Sequence, residues 1–95
     1  MNMSDRPLIL LTNDDGVAAP GIRAAREALA DIGQVMVAAP DRERSAASHS
    51  ISLDRPLRVD ELEEGVFSID GTPVDCVYLA LMHLVPRRPA LVVSG

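Results

Sequence analysis

Asp14 and Asp15 stand side by side, followed by Gly16, at the end of the apolar run Leu8–Thr12. Two carboxylates this close repel each other, and burying them is costly unless a positive charge sits between them. Carboxylate oxygens suit a hard divalent ion such as Mg²⁺ or Mn²⁺, which keeps several water ligands. Neighbouring side chains of an extended chain point to opposite faces, so the pair converges on one ion only if the chain turns there. Gly16 makes that turn easy. The plainer alternative is that one aspartate caps a turn and the other faces water, since Asp and Gly often simply make turns.

A second polar segment, PDRERSAASHS at residues 40–50, adds chemistry of a matching kind. Ser45, Ser48, His49 and Ser50 supply hydroxyl and imidazole groups. A hydroxyl is a neutral oxygen ligand, and the guanidinium groups of Arg42 and Arg44 match phosphate. Taken alone, the segment reads as a solvated loop, and a single histidine such as His49 is more often a surface group than a catalyst. Cys76 reads as a small buried residue. The GTPVD sequence from Gly71 offers free backbone N–H groups to an anion, although most helix starts bind only their own cap.

The elements that must position these residues follow from periodicity. Leu8–Thr12 is a continuous apolar run, the mark of a strand buried on both faces. Pro20 opens a helical pattern with Ile22, Ala25, Leu29 and Ile32 on one face and Gly33 as the C′ residue. Val35–Ala39 is a second buried strand, which makes a right-handed βαβ unit with parallel strands. Ile51–Val59 and Val66–Ile69 read as strands around an acidic turn, Asp60 to Gly65, with Pro56 holding the first to an edge or a bulge. Thr72, Pro73 and Asp75 form a capping box for a second helix, whose expected buried face is Val74, Val77, Tyr78, Leu81 and Leu84. Leu91–Ser94 is a third strand of buried type. The fold class is α/β: a Rossmann-like parallel sheet with helices on both faces. Ligands of such sheets bind beyond the carboxyl ends of the strands. The TNDDG loop, the PDRERSAASHS loop and Gly95 all fall on that edge.

Composition sets outer bounds. The chain has 95 residues, one domain's length, and 47% hydrophobic residues, enough for a core. A net charge of −5, with no Trp, one Tyr and one Phe, argues against long nucleic acid as a partner. All nine basic residues are Arg, so mechanisms that need a lysine are excluded within this chain. One cysteine permits no internal disulfide and no cysteine metal cluster, which fits a reducing compartment. With no secretory pattern at the start and no apolar run near the ~20 residues of a membrane span, a cytoplasmic protein without a membrane partner is expected.

LLTNDDG, PGI, VAAPDRERSAASHSIS, GTPVDCVYLAL and LVVSG occur in this order from about Leu8 to Gly95. In these motifs the chain resembles the survival protein SurE family of metal-dependent nucleoside monophosphate phosphatases. The resemblance implies a Rossmann-like core and hydrolysis of nucleoside 5′- and 3′-monophosphates. It implies one divalent metal ion per subunit, Mg²⁺ or Mn²⁺, and a homo-oligomer, dimer or tetramer. It makes Asp14, Asp15 and Ser45 metal ligands, with Asp14 and Asp15 catalytic. Asn13, Gly16, Ser48 and His49 are candidates for contact with substrate. The metal would polarise the phosphoryl oxygen and favour attack by a bound water, with an aspartate oxygen taking its proton. The family's fourth ligand, an asparagine after the VVSG strand, would follow Gly95. Residues 1–95 are therefore expected to be the N-terminal part of a single SurE-like domain. The alternative within the family is a truncated product without catalysis.

Two rivals from other classes read less well. A Mg²⁺-binding receiver-type signalling domain also carries paired acids after its first strand. It needs a phosphate-accepting aspartate ending a later strand and a lysine beyond; Asp54 precedes Arg55-Pro56 and the chain has no lysine. A haloacid-dehalogenase-like phosphatase uses Asp-x-Asp with the first acid as nucleophile. Here Asn13 occupies that place and cannot form an aspartyl phosphate.

Overall fold

In the computed structural model, residues 6–43 and 56–95 are described. Strand β1, Leu8–Thr12, is buried along its whole length, as its unbroken apolar sequence requires. It pairs in parallel with β2, Gln34–Pro40, on one side, and with β5, Leu91–Ser94, on the other. Strand β4, Val66–Ile69, lies parallel to β2, and β3, Val59–Glu63, runs antiparallel to β4 at the sheet's edge. The order across the sheet is β3-β4-β2-β1-β5.

The alternation of side chains on β1 divides the core in two. Leu10 joins Ala38, Ile69, Cys76 and Ala80 on one face. Leu11 joins Ile22, Val37, Ala39 and Val66 on the other. Helix α1, Pro20–Leu29, covers the second face, with Pro20 at the start of the helix where its missing N–H costs nothing. Helix α2, Pro73–Leu79, covers the first, with a π-helical segment, Ala80–Leu84, continuing it. The expected α/β sheet with helices on both faces is present, with an antiparallel strand added at one edge.

Several details depart from the expectations. Helix α1 stops at Leu29, and the backbone N–H groups of Ile32 and Gly33 both donate to the Leu29 carbonyl. Ile32 therefore lies past the helix, 61% exposed, instead of on its buried face. Gly33 is no left-handed cap: the described glycines with positive φ are Gly16 and Gly65. A Cβ on Gly33 would stand 2.4 Å from the Pro7 carbonyl oxygen, so close passage of two backbones is its reason.

The acidic segment from Asp60, expected as a turn, is strand β3, and the turn narrows to Glu64-Gly65. An edge strand leaves its carboxylates in water, where charge is tolerated and discourages further pairing. Arg26 of α1 pairs with Glu63, and Arg58 with Asp60, along this edge. Of the strand expected over Ile51–Val59, residues 51–55 lie outside the described residues, and Pro56–Arg58 is not strand.

The second helix buries a different face. Cys76 and Ala80, small residues four apart, bring the helix close to the sheet, with Val77, Leu79 and Leu84 packed around them. Tyr78 and Leu81 are exposed. Cys76 and Ala80 set the buried face, which leaves Tyr78 on the opposite side of α2; beyond it, the Val85 N–H bonds back five residues to the Ala80 carbonyl, widening the last turn. The capping box forms as expected: Asp75 N–H donates to Thr72 Oγ1 at 3.1 Å and Thr72 N–H to Asp75 Oδ2 at 2.9 Å. Cys76 is fully buried. Strand β5 is found where expected, but Leu91 and Val92 are 49% and 46% exposed, since β5 is itself an edge.

Two glycines should respond oppositely to the same change. Gly33→Ala forces a backbone shift and should lower the unfolding free energy by about 1–3 kcal/mol. Gly21, inside α1 with nothing within 4 Å of an added Cβ, should gain about 0.4–1 kcal/mol as Gly21→Ala. Urea unfolding of both variants checks the pair.

Candidate functional site

All the parallel strands end at one edge of the sheet. The chain steps from β1 through β2 to β4 in one direction, then returns to place β5 on the far side of β1. The strand order therefore reverses between β1 and β5, and a crevice opens there beyond the carboxyl ends. The loop from Asn13 to Gly16 leaves β1 at that point. Gly95 N–H donates to the Thr12 carbonyl at 2.9 Å, which brings the end of β5 to the same place.

Asn13 shapes the loop. It is only 2% exposed. Its Nδ2 donates to the Gly16 carbonyl at 2.8 Å, and the Gly16 N–H donates back to Asn13 Oδ1 at 3.2 Å. Gly16 has φ 107°, a region open to glycine and strained for other residues. Its carbonyl also accepts from Ala19 N–H, and Val17 N–H donates to the Pro40 carbonyl at 2.8 Å. A Cβ on Gly16 would lie 3.1 Å from the Arg42 carbonyl carbon and 3.3 Å from the Glu43 nitrogen. The loop after β1 is thus docked, backbone to backbone, on the start of the loop after β2. A second fastening draws β4 in, with Asp41 N–H donating to the Ile69 carbonyl at 2.9 Å.

This scaffold presents Asp14 half-buried and Asp15 exposed, next to each other in the turn. Among the described residues no third His, Cys, Asp or Glu side chain joins them. A site here would offer carboxylate oxygens and leave its other positions to water or neutral oxygens. That donor set fits a hard dication. Arg42 is exposed beside the loop, where a guanidinium can meet an anion. Ser45, Ser48 and His49 lie outside the described residues. Two concave spaces, of about 500 and 730 Å³, lie elsewhere: one beneath Gly33, Gln34 and Gly65, the other between α1 and the β3–β4 hairpin. Neither is lined by Asp14 or Asp15. No helix among the described residues is long and apolar enough to cross a membrane.

The family model described as survival protein SurE matches residues 9–95. The chain belongs to the SurE family. The 5′-nucleotidase SurE of Geobacter metallireducens is 59% identical over 87 residues, covering 92% of this chain and 34% of that protein. The 5′-nucleotidase SurE of Myxococcus xanthus is 56% identical over 95 residues, covering 98% of this chain and 36% of that protein. The crystal structure of the SurE protein from Aquifex aeolicus shares the fold with a TM-score of 0.89 at 44% identity, over 94% of this chain and 37% of that one. The chain thus spans about a third of the length of these curated SurE relatives, 34% and 36%.

The docking of the two loops has a measurable cost when broken. Asn13→Ala leaves the Gly16 N–H without its partner and the Gly16 carbonyl with the Ala19 N–H alone, and should lower stability by about 1–3 kcal/mol. Gly16→Ala should also destabilise, because it meets both the φ penalty and the Arg42–Glu43 backbone. Asp15→Asn, on the exposed side of the turn, should unfold as the parent does. Urea midpoints of the three variants test this ranking.

Proposed function

We propose that the protein is a phosphatase that hydrolyses nucleoside 5′- and 3′-monophosphates with one divalent cation, Mg²⁺ or Mn²⁺, per subunit. The observation that carries this reading is the Asp14–Asp15 turn, fixed at the switch point of a SurE-family sheet. In this reading Asp14 and Asp15 hold the cation, with Ser45 as a further ligand from the loop after β2. When bound, the cation supplies Lewis acidity, polarising a phosphoryl oxygen and making a water nucleophilic near neutral pH. The chain's own part is mostly placement. The Asn13–Gly16 clasp holds both carboxylates at the strand end, so little reorganisation remains when phosphate arrives. A water oxygen attacks phosphorus and passes a proton to an aspartate oxygen, the bond from phosphorus to the ribose oxygen breaks, and the departing oxygen takes a proton from solvent. Asp15, the more exposed of the two, is the better placed to accept the water's proton. Arg42 offers its guanidinium to the remaining phosphoryl oxygens.

The acidic, aromatic-poor chain favours mononucleotides over a long polymer. A cytoplasmic homo-oligomer goes with this reading, as does a single SurE-like domain of which residues 1–95 form the N-terminal part. The relatives' greater length supports the last point. A second reading, in which the 95-residue polypeptide alone has no turnover, is favoured by the exposed Leu91 and Val92 of β5.

In the full-length natural chain, Asp14→Asn and Asp15→Asn should each lower phosphate release from a nucleoside monophosphate by at least about 100-fold, the order expected when a metal ligand or proton acceptor is lost. Their thermal unfolding should match the parent's, and excess chelator should silence the parent. Undiminished turnover in chelator would remove the cation from the mechanism. A preference for the internal linkages of a long oligonucleotide, at equal phosphate concentration, would contradict the substrate class.

A further inference from the structure

The hydroxyl of Thr12 is buried and has no hydrogen-bond partner among the described residues. Thr12 is 3% exposed and closes β1, opposite Ser94 of β5. Its carbonyl is engaged by the Gly95 N–H. Residues two apart share a face of a strand, so Thr12 stands on the face of Leu10, at the edge where the acid loop begins. A buried hydroxyl without a partner is destabilising. Packing alone would be better served by valine, which has the same branched shape and no polar atom.

Asp14 lies two residues on, half-buried, while Asp15 is exposed. Of the two acids, Asp14 is the one set toward the interior. Asn13, between Thr12 and Asp14, does not compete for the hydroxyl, because its amide is turned to Gly16. A carboxylate that binds a cation through one oxygen commonly has its other oxygen held by an outer hydrogen bond. A threonine hydroxyl can rotate to supply the proton. We propose that Thr12 is a positioning residue, whose hydroxyl donates to the Asp14 carboxylate when that carboxylate holds the divalent cation. This rests on the reading of the acid pair as a metal site. Among the described residues the hydroxyl is left without a partner, and the loaded site would use it.

The test is made on the full-length natural chain with Thr12→Val and Thr12→Ser. Mn²⁺ alone is titrated by calorimetry, and thermal unfolding is followed in chelator. Thr12→Val should unfold at the same temperature as the parent or higher, because it loses only an unpaired hydroxyl. It should bind Mn²⁺ about tenfold more weakly, the lower end for loss of an outer partner. Thr12→Ser, which keeps the donor, should recover most of the affinity. This opposition of stability and affinity is not expected of a purely structural residue. Parent-like Mn²⁺ binding by Thr12→Val overturns the proposal and leaves the acid-pair site standing. A lower unfolding temperature for Thr12→Val in chelator also overturns it, since the hydroxyl would then serve the metal-free fold. A parent protein that binds no Mn²⁺ overturns both the site and the role of Thr12.

Discussion

The reciprocal hydrogen bonds between the Asn13 side chain and the Gly16 backbone fix the turn that carries the acid pair at the carboxyl edge. They close a turn that would otherwise carry two adjacent carboxylates on a loose chain. Closure leaves Gly16 at a positive φ and against the Arg42–Glu43 backbone. One asparagine and one missing side chain thus couple the acid pair to the neighbouring loop. The coupling is through buried polar atoms, where hydrogen bonds are least open to exchange with water.

The sheet makes this arrangement durable. β1 is central, buried on both faces and paired on both edges, so its carboxyl end cannot shift without disturbing both cores. The small residues Ala38, Ala39, Cys76 and Ala80 keep the layers close. The most acidic strand, β3, is placed outside, at an edge of the sheet. The Asp14–Asp15 turn thus leaves a strand that is buried on both faces and paired on both edges.

Much of this was legible in the residues because the determinants are local. Leu8–Thr12 is found as a strand with the expected limits, and Thr72–Asp75 forms its capping box, since each depends on a few neighbouring residues. The errors fall where tertiary structure overrides pattern. Ile32 continued a helical period past the true end at Leu29. Tyr78 lies opposite the Cys76–Ala80 face that meets the sheet, and Leu81 falls in the π-helical segment. Asp60–Glu63 looked too charged for a strand, yet an edge with Arg26 and Arg58 at hand accepts it. Gly33 was legible as an obligate glycine but not for its reason, because Pro7 approaches it from a distant part of the chain. At the candidate site, the adjacent acids stood out by type and spacing. Thr12 did not: it looked like the last apolar-compatible residue of a strand, and only burial without a partner among the described residues sets it apart.

The central claim is that the fixed Asp14–Asp15 turn holds a divalent cation. Diffraction from crystals of the full-length protein soaked in Mn²⁺, recorded near the manganese absorption edge, tests it most directly. The account predicts one strong anomalous peak per subunit at the carboxyl end of β1, with oxygens of Asp14 and Asp15 at about 2.0–2.3 Å, the range for oxygen ligands of such dications. A fully soaked crystal with no peak beside these residues, or with its peak elsewhere in the chain, would contradict it.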